Sequence, residues 1–140
     1  MTASTFDSHL VVQFADPSML NGQTVLVVEA EFLIALDIQR MLEGLGVDQM
    51  LFARTADEAH ELAGHWPSLG LAIVEIRSDA PRSVTLVHSL RLAGVAVILS
   101  TADGAIRQGH PDFPGVPVIV KPMADDDLAT AIHAMRPVRP

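Results

Sequence analysis

Polar side chains close several of the apolar runs in this chain, and their types could do chemistry together. Glu29 and Glu31 end Thr24–Glu31. Glu75 sits near the end of Leu71–Arg77, Ser100 and Thr101 end Val95–Thr101, and Lys121 follows Val116–Val120 and precedes Pro122. Carboxylates can hold a cation or attack an electrophile, hydroxyls can orient anionic oxygens, and an ammonium serves one anionic group as a point charge. Lys121 is the only lysine, beside eight arginines.

The elements that must carry these groups follow from periodicity. A continuous apolar run bounded by turn residues, as in Leu71–Arg77 before Ser78–Pro81, reads as a strand buried on both faces. Ile34, Ile38, Met41, Leu42 and Leu45 recur at helical spacing, and Gly44 and Gly46 end that helix. Residues 47–53 predict a second strand. Thr55 and Glu58 form a capping box for a helix that should stop before Pro67. A helix over about 82–92 closes at Gly94, and Leu128, Ala131, Ile132 and Met135 mark a last one. Between them, Asp103–Gly115 holds three glycines and two prolines, so a helix there is degenerate.

Strands alternating with helices predict an α/β fold. The expected architecture is a flavodoxin-like (βα)5 doubly wound parallel sheet, strand order 2-1-3-4-5, with a degenerate fourth helix. All the polar groups named above then reach the carboxyl edge of the sheet, where such folds place their crevices. Residues 23–136 form the expected domain. Residues 1–22 are expected to be a flexible tail whose apolar patch, His9–Phe14, could add an edge element or support a homodimer, and residues 137–140 are a C-terminal tail.

A chain of 140 residues with 49% hydrophobic residues suits one packed domain. Without cysteine, disulfides and thiolate metal sites are excluded. Residues 1–70 hold two arginines against ten acids, whereas residues 71–140 balance seven against seven. An acidic half repels phosphate backbones, so no nucleic-acid partner is expected. No leader or membrane span is read, and the expected location is the cytoplasm.

Val27-Val28-Glu29-Ala30-Glu31, Ile73-Val74-Glu75-Ile76, Leu99-Ser100-Thr101-Ala102 and Val120-Lys121-Pro122-Met123 together resemble, in order and spacing, the signatures of response-regulator receiver domains (CheY-like). The resemblance covers residues 23–136. It implies an acidic pair that holds Mg²⁺, an aspartate that accepts a phosphoryl group, and a Thr or Ser and a Lys that bind the phosphoryl oxygens. Thr101 and Lys121 match. Three positions depart: Glu75 stands at the phosphoacceptor position, Ala30 replaces the second acid of the pair beside Glu29, and Val118 occupies the aromatic switch position.

These departures have physical consequences. Mg²⁺ demands near-octahedral oxygen ligation, and losing a carboxylate removes a ligand and a charge. Glu29 and Glu75 are weak candidates, so no metal site is expected and Mg²⁺ binding should be lost or weak. Phosphoryl transfer depends on positioning and charge neutralisation, and a nucleophile displaced by about 1 Å can lose 10²-fold in rate. The expectation is therefore a stand-alone, atypical receiver-like module that is not an enzyme and has no catalytic residues. It would signal by protein–protein contact, with Glu75 turned toward Lys121 and Thr101 in partial imitation of a phosphorylated aspartate, or Glu75 merely relieving a dead pocket. The resemblance implies a histidine kinase, a phosphotransfer protein or another regulator as partner; the acidic first helix is a candidate contact face, and no membrane partner is expected. The alternative is a phosphorylatable response regulator taking a phosphoryl group on Glu75 or Asp79. A small-ligand flavodoxin-like protein is disfavoured because no glycine loop precedes a helix. His60 and His65 lie five apart, about 140° around a helix, and so cannot share a metal as a zincin pair does.

Overall fold

A computed structural model describes residues 17–135. Its element order is β1 (Thr24–Val28), α1 (Phe32–Gly44), β2 (Gln49–Ala53), α2 (Ala56–Glu61), a 3₁₀ segment (Ala63–Ser68) and β3 (Leu69–Glu75). Then come α3 (Arg82–Leu92), β4 (Val97–Thr101), a 3₁₀ turn (Gly104–Ile106), β5 (Val118–Val120) and α4 (Asp127–Met135). The five strands are parallel in the order β2-β1-β3-β4-β5, as the alternation of elements predicts.

Strand alternation divides the core into two layers. Leu26, Val28, Ala72, Val74, Val97 and Leu99 face α2 and α3, where they meet Ala59, Trp66, Leu86, Val87 and Leu90. Val25, Val27, Leu71, Ile73, Ile98 and Ile119 face α1 and α4, against Ile38, Leu42, Leu128 and Ile132. Because both faces of the central strands are covered, only their carboxyl ends can present polar groups.

Three local features add to the sequence reading, and each has an identifiable cause. The helix after Thr55 ends at Glu61, and the chain continues as a 3₁₀ segment that runs through Pro67. Trp66 is buried there and donates its indole N–H to the Ala59 carbonyl at 3.2 Å, folding the segment back on the helix. Between β4 and β5 there is no α-helix, only the 3₁₀ turn and further turns. Phe113, fully buried, fills that space against α3, with the rings of His88 and His110 at 4.7 and 5.2 Å. Finally, the expected tail reaches less far than residue 22. Met19 and Leu20 are buried in the α1–α4 layer, and the Leu20 amide donates to the Leu45 carbonyl at 2.8 Å. Gly46, at φ +82°, lies so close to Pro17 that a Cβ would collide with its carbonyl. The expectations for residues 1–16, including the patch His9–Phe14, and for residues 137–140 lie outside the described residues. Among the described residues no helix is long and apolar enough to cross a membrane.

Candidate functional site

Strand register brings the site together. Residues 24–28 of β1 run beside β3, and Glu75 ends β3 opposite Ser100 of β4. Glu29 follows β1 directly, and Lys121 follows β5, its amide donating to the Thr101 carbonyl at 2.7 Å. The Lys121–Pro122 peptide is cis.

From these positions Lys121 reaches two carboxylates. Its Nζ donates to Glu75 Oε2 at 2.7 Å and to Glu29 Oε1 at 3.3 Å. The side chain of Lys121 is only 9% exposed and that of Glu29 is fully buried. The other oxygens are held by backbone. Glu29 Oε2 accepts from the Glu31 amide at 3.0 Å, and Glu75 Oε1 accepts from the Ala30 amide at 3.3 Å. The position that lost its acid therefore still contributes, through its N–H. Two carboxylates against one ammonium leave the cluster with one net negative charge. Burial pushes the Glu29 carboxyl above its ordinary 4.5; the Glu31 amide pulls it back, Glu75 raises it further and Lys121 lowers it. For Lys121, burial works against the charge, but the hydrogen bond to Glu75 and the fields of both carboxylates outweigh it and raise the ammonium above its ordinary 10.5.

Thr101 does not join the cluster. Its hydroxyl accepts from the Asp103 amide at 3.0 Å, while the hydrogen bonds of Glu75 go to Lys121 and Ala30. Alternation explains this: Thr101 shares the Leu99 face of β4, whereas Glu75 follows Ile73 toward the other layer. Ser100 is the register partner of Glu75, and its buried Oγ has no hydrogen-bond partner. Val118 is half-buried, pairs with Leu99 and packs on the α2–α3 layer. Asp79 is held by Arg77 through two hydrogen bonds of 3.1 Å, which lower its carboxyl below the ordinary range.

The residues present do not fit a divalent cation. Octahedral Mg²⁺ needs several oxygens at about 2.0–2.1 Å with room for water. Here Lys121 occupies the space between Glu29 and Glu75, and Ala30 supplies no side-chain oxygen. Among the described residues no group of three or more His, Cys, Asp or Glu could hold a metal ion. His60 instead places Nδ1 3.0 Å from the Ala56 carbonyl and its ring 5.5 Å from Trp66.

Sequence reasoning missed the Ala30 amide, for which no residue pattern exists. It also missed an exposed apolar surface beside the site. Phe32 and Leu33 open α1 outside the Ile34–Ile38–Leu42 stripe and remain 72% and 74% exposed, a break in the pattern that was legible. That helix is less acidic than expected, with Asp37 and Glu43 against Arg40.

Five parallel strands in this order, with a carboxylate at the end of β3 and a lysine before proline after β5, give the architecture of a response-regulator receiver domain. No family model matches the sequence. The transcriptional regulatory protein PdtaR of Mycobacterium tuberculosis is 31% identical over 111 residues, covering 78% of this chain and 54% of PdtaR. The crystal structure of the response regulator PhyR from Brucella abortus superposes with a TM-score of 0.69 at 27% identity, over 91% of this chain and 51% of PhyR. CheY of Borrelia burgdorferi, in complex with CheX, shares the fold with a TM-score of 0.67 at 16% identity, over 84% of this chain and 96% of CheY. The chain thus spans about half the length of PdtaR and PhyR.

Proposed function

We propose that this chain is a receiver-like signalling module that acts through protein–protein contact without accepting a phosphoryl group. The observation that carries the reading is the seat of Lys121 Nζ, 2.7 Å from Glu75 and 3.3 Å from Glu29. That ammonium offsets one of the two carboxylate charges in the pocket where a receiver domain would use a metal ion. Glu75 supplies a carboxylate at the end of β3 without any modification, and the Lys121 and Ala30 contacts hold it in one arrangement. A site fixed in this way presents one state to its partners, and regulation then rests on the presence of the partner rather than on phosphoryl chemistry. The partner classes are those of response regulators: a histidine kinase, a phosphotransfer protein or another regulator. The description of a Bartonella quintana PhyR, 29% identical, as an anti-anti-sigma factor is consistent with action through a protein partner.

The test is incubation with acetyl phosphate and Mg²⁺ followed by intact-mass measurement. An unchanged mass is expected, and a gain of one phosphate, on Glu75 or Asp79, would refute the reading. Replacing Glu75 with Gln or Ala should change what the protein captures from extract of its own cells. Unaltered capture by both folded variants would show that the fixed arrangement has no signalling role.

A further inference from the structure

A groove of about 520 Å³ runs between α1 and β2, lined mainly by Phe32, Ala35, Leu36, Phe52 and Ala53. Its walls are predominantly apolar, and Phe52 is 44% exposed although it shares the face of β2 that buries Met50 toward α1. β2 is also the outermost strand of the sheet. It pairs only with β1, so among the described residues its other edge has no strand partner. An unpaired edge beside an exposed apolar groove is a template for strand addition.

The described chain begins near the amino end of β2. Pro17 lies against Gly46, three residues before β2 starts, and the Leu20 amide is bonded to Leu45 at the end of α1. Upstream of Pro17 the sequence holds sixteen residues, and their one apolar stretch is Leu10-Val11-Val12-Gln13-Phe14. Only Ala15 and Asp16 separate it from Pro17. Five extended residues cover about 17 Å, which matches the five residues of β2. A two-residue link cannot make the crossover that parallel pairing needs, but it permits antiparallel pairing. In that direction Phe14 comes level with Met50 and Val12 with Phe52, on the side of the groove.

We propose that the groove is the docking site of this chain's own segment Leu10–Phe14, added antiparallel to β2 as a sixth strand. Leu10 and Val12 then cover Phe52, Leu36 and Phe32, Phe14 covers Met50, and backbone bonds close the open edge. Glu29 and Ala30 reach one end of the groove, but Glu75 and Lys121 do not line it, so the inference does not depend on that pair.

Because the chain contains no cysteine, a paired substitution reports on it cleanly. Val12→Cys with Phe52→Cys, oxidised in the full chain, should give a disulfide within one chain, seen as a monomer on non-reducing gels and as the loss of two hydrogens by intact mass. Hydrogen exchange on the cysteine-free chain supplies the second measurement. Leu10→Asp with Val12→Asp should speed exchange of the outward β2 amides at least tenfold, with the amides of β3 unchanged. Disulfides only between chains would overturn the proposal in favour of a second copy on the same edge. Unlinked cysteines together with unchanged β2 exchange would overturn it outright.

Discussion

Replacing Lys121 with Met tests the site most directly, because it removes the ammonium and keeps an unbranched side chain only one atom shorter. Two carboxylates then face each other, one fully buried and the other 12% exposed, with only the Glu31 and Ala30 amides left to stabilise them. A hydrogen bond to a charged group contributes about 1.5–3 kcal/mol, and removing one partner of a buried ion pair costs about 3–5 kcal/mol. The expected loss at pH 7 is therefore ~3–5 kcal/mol, or roughly 10–20 °C in Tm for a domain of this size. The buried Glu29 carboxyl, already raised above its ordinary 4.5, has an escape. As pH falls it can take up a proton, so the deficit of Lys121→Met should shrink. Adding Glu29→Gln and Glu75→Gln to the methionine variant should recover most of the loss. Urea denaturation of the variants at pH 7 and pH 5 measures all of this. A loss below about 1 kcal/mol, or a loss independent of pH, would mean that the pair is solvated and that the argument from burial is wrong.

Glu29→Gln has a definite pH signature. Because the folded carboxyl titrates above its ordinary 4.5, its contribution to stability is fully present below that value and is lost as pH rises through the folded value. The wild type should therefore gain on the Gln variant between pH 7 and pH 4.5, read from urea midpoints. Lys121, raised above 10.5, stabilises the fold throughout this range and loses its contribution only as pH climbs through its folded value. Phe113→Ala should cost about 3–5 kcal/mol, because it empties the space that a helix would otherwise fill. Thermal melts measure that cost, and a change below about 1 kcal/mol would show that the loop packs without its anchor. Ala30→Asp combined with Glu75→Asp restores one oxygen ligand and shortens the other arm. The pair should create Mg²⁺ binding detectable by titration calorimetry, where the wild type shows none.

The fold was legible because both helical and strand periodicities are strong. Continuous apolar runs at β1, β3 and β4, the stripe Ile34–Ile38–Leu42 and the Thr55–Glu58 cap each specify one element, and the cap forms with Thr55 accepting from the Glu58 amide at 3.1 Å. The meeting of Lys121 with Glu75 also followed from strand order, since β3 and β5 flank β4 and both residues leave the carboxyl edge on the same face. What failed depended on directions that no spacing encodes. Thr101 turned away because β4 alternation gives it the opposite face from Glu75. Met19 and Leu20 proved to be core because the layer beneath α1 needed filling, which a polar, proline-containing context concealed. Trp66 carried the chain through Pro67 in a 3₁₀ path because its indole found the Ala59 carbonyl.

Phe113 has a consequence for how this molecule can diverge. Where a helix spans the gap between β4 and β5, every residue is bound by a hydrogen-bond ladder and a fixed phase. Here one aromatic plug, braced by two imidazoles, secures a loop whose remaining residues answer to no repeat. Insertions between Thr101 and Val118 should therefore be absorbed at little cost so long as the plug stays. That makes this side of the sheet the natural place to graft a new recognition surface.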